Sequence, residues 1–204
     1  HNEAAVGGRA EEGEVLDQAN VATGVTGVGL ARGLAVVKAE EAVEAMQYLE
    51  NVLLLVVGGG DVLPVLRNKV DALNLHTKVK FVPRQTPENL SGYTRNADLG
   101  LTIDKDTNIN YRFSLPNKLF DYIHAGVPVL ATPLVELKNI IQQYQVGGFI
   151  ENHDPVHIAS TIKALLDDEK QLAEYKLNTE KAAADLNWET EKKVLFEIFS
   201  PYAR

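Results

Sequence analysis

The chain has 204 residues, 45% of them hydrophobic, and carries a formal net charge of −8 without any cysteine. This length supports one good hydrophobic core, or two small ones at most. The negative charge argues against a broad nucleic-acid surface, and the lack of cysteine excludes disulfides and thiolate metal sites. No apolar run approaches the roughly 18 residues of a membrane span. The first residues also lack the basic and then apolar pattern of a signal segment. We therefore expect an acidic, soluble, cytoplasmic protein.

The first part of the chain differs from the rest. Residues 1–35 are rich in Ala, Gly, Val and Glu and contain no aromatic residue. A strand within 20–29 is weakened by three glycines. We therefore divide the chain into an atypical N-terminal segment, 1–35, in which the first strand would lie, and a Rossmann-like domain, 36–204.

Beyond residue 39, apolar runs alternate with helical periodicity. Strands are predicted at 52–57, 79–82, 99–103, 127–131 and 148–150. Helices are predicted at 39–49, 62–73, 86–95, 117–125, 134–144, 155–166, 170–185 and 189–199. This alternation predicts the α/β class: a single Rossmann-like, doubly wound parallel sheet of five or six strands with C-terminal helices. The apolar face of the last helix, with Trp188 as its anchor, is expected to pack back onto the core.

The most informative stretch combines a loop, a helix and a buried strand. After Ser114-Leu-Pro116 comes a helix that carries Lys118 and Asp121, and Gly126 ends it. Helix-N-terminal amides, a cation and a carboxylate would then surround one small volume, as a nucleotide with a diphosphate and a ribose requires. Lys118 and Asp121 share one helix face, so a surface ion pair between them is the alternative. We favour ligand binding for Asp121, and both interpretations stay open for Lys118.

Other candidate sites are weaker. The Gly58-Gly-Gly60 turn permits either a phosphate approach or merely a tight turn, and Leu63 replaces the third glycine of a dinucleotide fingerprint. His153 and His157 have a spacing that can hold zinc. Pro155 lies between them and no third ligand is near, so Asp154 is better interpreted as a helix N-cap and we expect no metal site.

The stretch from Ser114 to Leu130 resembles the donor-site signature of GT-B glycosyltransferases, most closely the retaining "group 1" class, also labelled family 4. The resemblance extends from about residue 39 to the C-terminus. It includes the glycine turn after Val57, the strand at 79–82, the Ala97-Asp-Leu-Gly-Leu-Thr102 segment and the closing Asn187-Trp188-Glu. It implies that the chain is the C-terminal, donor-binding half of a GT-B fold.

The resemblance also implies roles for individual residues. Asp121 matches the second acidic residue of the family's E-x7-E motif, which binds the ribose, whereas Phe113 stands at the first acidic position. Ser114, Leu115, Pro116, Asn117 and Lys118 would form the helix start that faces the donor diphosphate and sugar, and Arg84 would border the nucleobase. Either Arg32 or Lys38 is a candidate for the diphosphate clamp, in the loop after the first strand.

The implied function is sugar transfer from a nucleotide diphosphate-sugar to an acceptor, with retention of configuration and without a metal or other cofactor. The implied partners are the donor and an N-terminal acceptor domain beyond this chain, with no nucleic acid. Peripheral membrane association of the longer enzyme is compatible with the resemblance, and the chain alone is expected to be inactive. A nucleotide-sugar 2-epimerase-like half and a non-catalytic nucleotide-binding module are the alternatives. An oxidoreductase is disfavoured by the glycine spacing.

Overall fold

Short strands alternate with helices along the part of the chain that the computed structural model describes, residues 32–36, for which only the backbone is considered, and 40–202. The strands are β1 (Arg32–Val36), β2 (Val52–Val57), β3 (Val79–Val82), β4 (Leu99–Thr102), β5 (Val129–Ala131) and β6 (Gly147–Phe149). The helices are α1 (Glu40–Ala45), α2 (Leu63–Ala72), α3 (Pro87–Arg95), α4 (Ile109–Arg112), α5 (Asn117–Ala125), α6 (Val135–Tyr144), α7 (Pro155–Asp167), α8 (Glu169–Asp185) and α9 (Trp188–Phe199). Single 3-10 turns over Met46–Tyr48 and Ser200–Tyr202 extend α1 and α9.

The six strands form one parallel sheet in the order β3-β2-β1-β4-β5-β6. The strand order reverses between β1 and β4, and in such sheets ligands bind beyond the carboxyl ends of the strands near this point. The predicted doubly wound parallel sheet is therefore confirmed. The predicted bounds of β2, β3 and α5 agree with the structure. The other predicted elements differ from it by one or two residues, except that α1 ends at Ala45 and a 3-10 turn follows it, where the sequence predicts one helix to residue 49.

The sheet is covered on both faces, which explains why β2 and β5 are continuous apolar runs. In β2, Leu54 and Val56 pack into a core formed with α1, α2 and α7. Leu55 and Val57 pack on the opposite face against α3. On that second face, α5, α6 and α8 enclose another buried cluster with β5. The helices α3 and α5 are thus neighbours on one face, and their facing sides define the site described below.

The first strand spans Arg32–Val36 and lies at the centre of the sheet, between β2 and β4. Four of its five residues belong to the segment 1–35, in which the sequence analysis expects the first strand. The weak strand predicted within 20–29 lies outside the described residues.

The prediction that the last helix packs onto the core is wrong. No residue of α9 is buried, and its large apolar side chains are exposed: Trp188, Val194, Leu195, Phe196, Ile198 and Phe199. The helix is fixed at its start, where Asn187 Oδ1 accepts a hydrogen bond from the Thr190 amide at 3.0 Å. An amphipathic pattern predicts that one face seeks an apolar partner, but it does not identify that partner.

Among the described residues, no helix is both long and apolar enough to cross a membrane.

Candidate functional site

An open cleft of about 650 Å³ lies beside the carboxyl ends of β2 and β3, between α3 and α5. Three segments supply its walls: the turn after β2, the segment from the end of β3 through α3, and one side of α5 along its whole length. Its lining residues are Val57, Gly58, Arg84, Gln85, Pro87, Leu90, Ser91, Thr94, Arg95, Asn117, Phe120, Asp121, His124 and Ala125. The predicted site residues Arg84, Asn117 and Asp121 therefore meet in one cleft.

The β2 wall has a backbone that requires glycine. Gly58 has a φ of 139°, which L side chains rarely adopt, although a Cβ there would meet open space. Its amide donates to the Val82 carbonyl at 3.0 Å and so joins the ends of β2 and β3. Glycine is thus needed here for its conformation, and its missing side chain leaves this side of the cleft open.

Two cations project from the α3 side of the cleft. Arg84 follows β3 by two residues, and Arg95 ends α3; both side chains are exposed. Neither guanidinium forms an ion pair with any residue in the described ranges. Thr86 begins α3, because its side chain accepts from the Asn89 amide. Two unpaired arginines on one wall favour an anionic or aromatic ligand, since guanidinium groups bind phosphate and stack on rings.

The opposite wall is the start of α5. Pro116 occupies the N-cap position and offers no side-chain hydrogen bond, so the first amides of the helix lack a side-chain cap. Unsatisfied amides and the helix dipole make this end of α5 electropositive. Asn117 is the first residue of the helix and lines the cleft. Gly126 ends α5 in the left-handed conformation, as the sequence predicts.

Asp121 lies on the first turns of α5 and faces the cleft. Partial burial raises the pKa of its carboxyl above the ordinary 3.8, and the charge of the nearby His124 lowers this pKa. The carboxylate has no cation paired with it in the described part of the chain. An acceptor of this kind on a cleft wall is chemically suited to bind hydroxyl groups.

His124 lies one turn beyond Asp121 and is held from the other side. Its Nε2 is 2.9 Å from the carbonyl oxygen of Leu186. Because a carbonyl only accepts, Nε2 carries the proton of this hydrogen bond. His124 therefore joins the cleft helix to the junction between α8 and α9, in addition to lining the cleft.

Lys118 does not pair with Asp121. Its Nζ is 2.6 Å from Oδ2 of Asp104, and the two side chains are only 17% and 19% exposed. The alternative of a surface pair between Lys118 and Asp121 is therefore wrong. The partner lies in the loop after β4, which brings the start of α5 against the carboxyl end of that strand.

The two candidates for the diphosphate clamp have different outcomes. Arg32 opens β1 and pairs in register with Val52, the first residue of β2. The cleft begins at the other end of β2, about 16 Å away at some 3.3 Å per residue. A place for Arg32 in the loop after the first strand is therefore wrong, because the strand begins at Arg32 instead of ending before it. Lys38 lies outside the described residues and stays a prediction.

The segment before α5 borders the cleft without lining it. Ser114 and Pro116 are partly exposed and Leu115 is 38% exposed. Phe113, at the position where the resembling family has an acid, is 53% exposed. Contacts of Ser114, Leu115 and Pro116 with a ligand stay a prediction.

His153 and His157 serve other contacts. Nε2 of His153 is 3.1 Å from the Ile103 carbonyl and 3.2 Å from the Thr132 hydroxyl. Nε2 of His157 accepts from the Glu151 amide at 2.9 Å. Asp154 accepts from the His157 amide and is an N-cap, as predicted. Within the described ranges, no three His, Cys, Asp or Glu residues are grouped as a metal site would require.

Sequence reasoning missed Arg95 as a cleft residue, and for His124 it favoured a packed helix position over a place beside the pocket, whereas both residues line the cleft. They come from the last turns of α3 and α5, and their proximity depends on those helices packing side by side. The amphipathic period of each helix was visible, but the pairing of the two helices was not.

Comparison with known proteins identifies relatives of this fold and sequence. The profile of the family described as "Glycosyl transferases group 1" matches residues 30–182. A D-inositol 3-phosphate glycosyltransferase from Salinispora tropica is 27% identical over 128 residues, which cover 63% of this chain and 25% of that protein. The same enzyme from Nocardia farcinica is 27% identical, with 63% and 27% covered.

Two solved structures show the same fold. The sucrose-phosphate synthase of Thermosynechococcus elongatus has a TM-score of 0.71 at 20% identity, covering 91% of this chain and 49% of that one. The Anabaena protein HepE, solved in complex with UDP, has a TM-score of 0.73 at 14% identity, covering 84% and 50%. The matches thus span about a quarter of the length of the curated relatives and about half of the solved chains.

Proposed function

Because the chain belongs to the group 1 glycosyl transferases, we propose that the cleft between α3 and α5 binds the nucleoside diphosphate of a nucleotide-sugar donor. The whole protein would transfer that sugar to an acceptor. The observation that carries this proposal is the convergence of Arg84, Asn117 and Asp121 on one cleft at the carboxyl edge of the sheet. A solved neighbour with this fold is a complex with UDP, which supports a nucleoside diphosphate as the ligand class.

Each wall would bind a different part of the donor. Arg84 would border the base, where a guanidinium can stack on an aromatic ring. Asp121 would accept hydrogen bonds from the ribose hydroxyls. The uncapped amides at the start of α5 would meet the diphosphate, since helix N-termini favour anions. Ser114, Leu115 and Pro116, which precede α5, would face the diphosphate and the sugar.

The chemistry would then be electrostatic. Negative charge develops on the leaving diphosphate as the bond to the sugar breaks, and preorganised donors stabilise it. We propose that backbone amides and cations, with Lys38 as a candidate, do this without a metal. Transfer with retention of configuration belongs to the same proposal.

The acceptor would bind elsewhere. The solved chains are about twice as long as their match to this one, so we propose that a further domain supplies the acceptor site. The 204-residue chain alone would bind the donor without transferring its sugar. A cytoplasmic location and a peripheral membrane contact of the whole protein are also proposals; the cysteine-free composition supports the first.

One observation favours a second candidate function. Phe113 is an exposed apolar residue where the family's motif has an acid, so the contact which that acid makes with the sugar is missing. A nucleotide-binding module without catalytic activity would tolerate this change. The whole protein would then bind a nucleoside diphosphate as tightly as the nucleotide-sugar and would release no nucleotide on mixing with sugar acceptors.

Calorimetric titration of the 204-residue chain with UDP, GDP, ADP and NAD tests the proposal. We expect one nucleoside diphosphate to bind and NAD to bind more weakly or not at all. Binding of NAD alone would contradict the proposed donor site and would indicate a dinucleotide enzyme.

A further inference from the structure

The ion pair between Lys118 and Asp104 links two parts of the carboxyl edge that are distant in sequence. Lys118 is in the first turn of α5, and Asp104 lies two residues beyond the end of β4. Their charged atoms are 2.6 Å apart and both side chains are more than four-fifths buried. Exposed pairs of this kind contribute little, but a shielded pair is costly to break because one charge is left without its partner.

The segment that carries Asp104 is itself firmly held. The Thr102 hydroxyl is 3.5 Å from the Asp104 carboxylate. His153, from the loop after β6, binds the carbonyl of Ile103. The Thr132 amide, just after β5, donates to the Thr102 carbonyl at 3.1 Å. Groups that follow three strands thus fix the position of Asp104, and Asp104 in turn holds Lys118.

The charges of the pair argue against Lys118 as a phosphate ligand. A lysine at a helix N-terminus opposes the helix dipole, whereas a carboxylate there is favourable. Asp104 supplies that carboxylate and neutralises Lys118, so the pair as a whole has no net charge to offer a diphosphate. Its geometric effect remains: it fixes the helix start, with Asn117 and Asp121, relative to the end of β4.

We propose that Lys118 and Asp104 are positioning residues for the nucleoside diphosphate, which they align by fixing the start of α5 without contacting the phosphates. This inference rests on the proposed donor site. Removing the Asp104 charge distinguishes this role from direct phosphate binding. If the pair positions α5, the change weakens nucleotide binding. If Lys118 bound phosphate and Asp104 merely competed for it, the same change would strengthen nucleotide binding.

A double-mutant cycle on the 204-residue chain tests the inference. The probe is whichever of UDP, GDP and ADP binds the unaltered chain most tightly, measured by calorimetry with Asp104→Asn, Lys118→Met and the double variant. We expect each single change to weaken binding by about tenfold, because hydrogen bonds lose strength steeply when misaligned. The double variant is expected to lose no more than either single one, since both changes break the same contact.

Matched variants separate positioning from general stability. Asp167→Asn breaks the exposed pair with Lys163 on α7 and is expected to leave affinity unchanged. Lys118→Arg keeps a cation beside Asp104 and is expected to retain most of the affinity. All titrations are made at a temperature at which melting curves show each variant fully folded. If Asp104→Asn does not fold, Asp104→Ser replaces it, because it also removes the charge, and weaker binding is again expected.

Tighter or unchanged binding by Asp104→Asn overturns the inference and leaves the donor site intact. Additive losses in the double variant also overturn it, because they would mean that the two residues act separately. If the unaltered chain binds none of the three nucleotides, the proposed function fails and the inference fails with it.

Discussion

The surroundings of Asp121 destabilise the ionised form of its carboxyl group. Partial burial raises its pKa, and His124 compensates only in part. A carboxyl whose pKa is raised on folding contributes stability below its unfolded pKa, and that stability is lost as the pH rises through the folded value. At neutral pH the ionised Asp121 is therefore a cost to the fold, which is expected of a residue retained to bind a ligand.

Asp121→Asn is expected to melt at the same temperature as the unaltered chain or higher at neutral pH, because the cost of ionising a partly desolvated carboxyl is removed. The difference should shrink below the ordinary pKa of 3.8, where both side chains are uncharged. Thermal unfolding across pH measures this, with Glu180→Gln on the exposed side of α8 as the matched control. A clearly lower melting temperature of Asp121→Asn at neutral pH would show that the carboxylate is instead a stabilising contact.

The sequence identified Asp121 but not the partner of Lys118, and the difference is physical. Asp121 is recognisable because its motif is local: a loop, a helix start and a stop at Gly126. The contact with Asp104 depends on how α5 is placed over β4, which is decided by packing across the sheet. Arg32 shows the same limit of sequence analysis. Its assignment to the diphosphate clamp required the first strand to end before it, and the glycine-rich sequence does not show where that strand starts.

At the scale of elements, one close approach fixes α5 against the sheet. A Cβ on Gly100 of β4 would lie 2.5 Å from the ring of Tyr122. The Tyr122 hydroxyl donates to the buried Leu101 carbonyl at 3.3 Å, and burial strongly raises the pKa of this tyrosine. The helix that carries Asp121 therefore rests directly on the backbone of a central strand.

Gly100→Ala is expected to destabilise the fold by about 1–3 kcal/mol, the usual cost of overpacking a core, and to weaken nucleotide binding because α5 must shift. Chemical denaturation and calorimetry measure the two effects. Gly148→Ala is the control, since its Cβ would meet Leu165 at an ordinary 3.6 Å. Equal stabilities for the two variants would mean that α5 is not held by this contact.

Most elements were predictable because periodicity and buried apolar runs are local signals. The polar loop after β4 was not fully predicted: it contains the one-turn helix α4, which Asn108 caps with its side chain. The pairing of α3 with α5 was not predictable either, so Arg95 was missed as a cleft residue and His124 was assigned to helix packing in preference to the cleft. The cleft is formed by the way the helices are arranged over the sheet, and local sequence patterns do not predict that arrangement.

At the scale of the whole molecule, α9 stands apart from the core. Its apolar face is exposed and none of its residues is buried. Removal of 188–204 should therefore lower the melting temperature by no more than about 2–4 °C, the shift that a 1 kcal/mol change gives in a domain of this size. Differential scanning calorimetry measures this, and a fall of about 10 °C or more would show that α9 packs against the domain after all.

The central claim is that the cleft binds the ribose of a nucleoside diphosphate through Asp121. The most direct measurement is a calorimetric cycle between Asp121→Asn and a nucleotide lacking the 2′ and 3′ hydroxyls. Hydrogen bonds to a charged group are worth about 1.5–3 kcal/mol, so either change alone should weaken binding about ten- to a hundredfold. The dideoxy nucleotide and the Asp121→Asn variant combined should lose no more binding free energy than either change alone. Undiminished binding of the dideoxy nucleotide by the unaltered chain, or losses that simply add, would contradict the account.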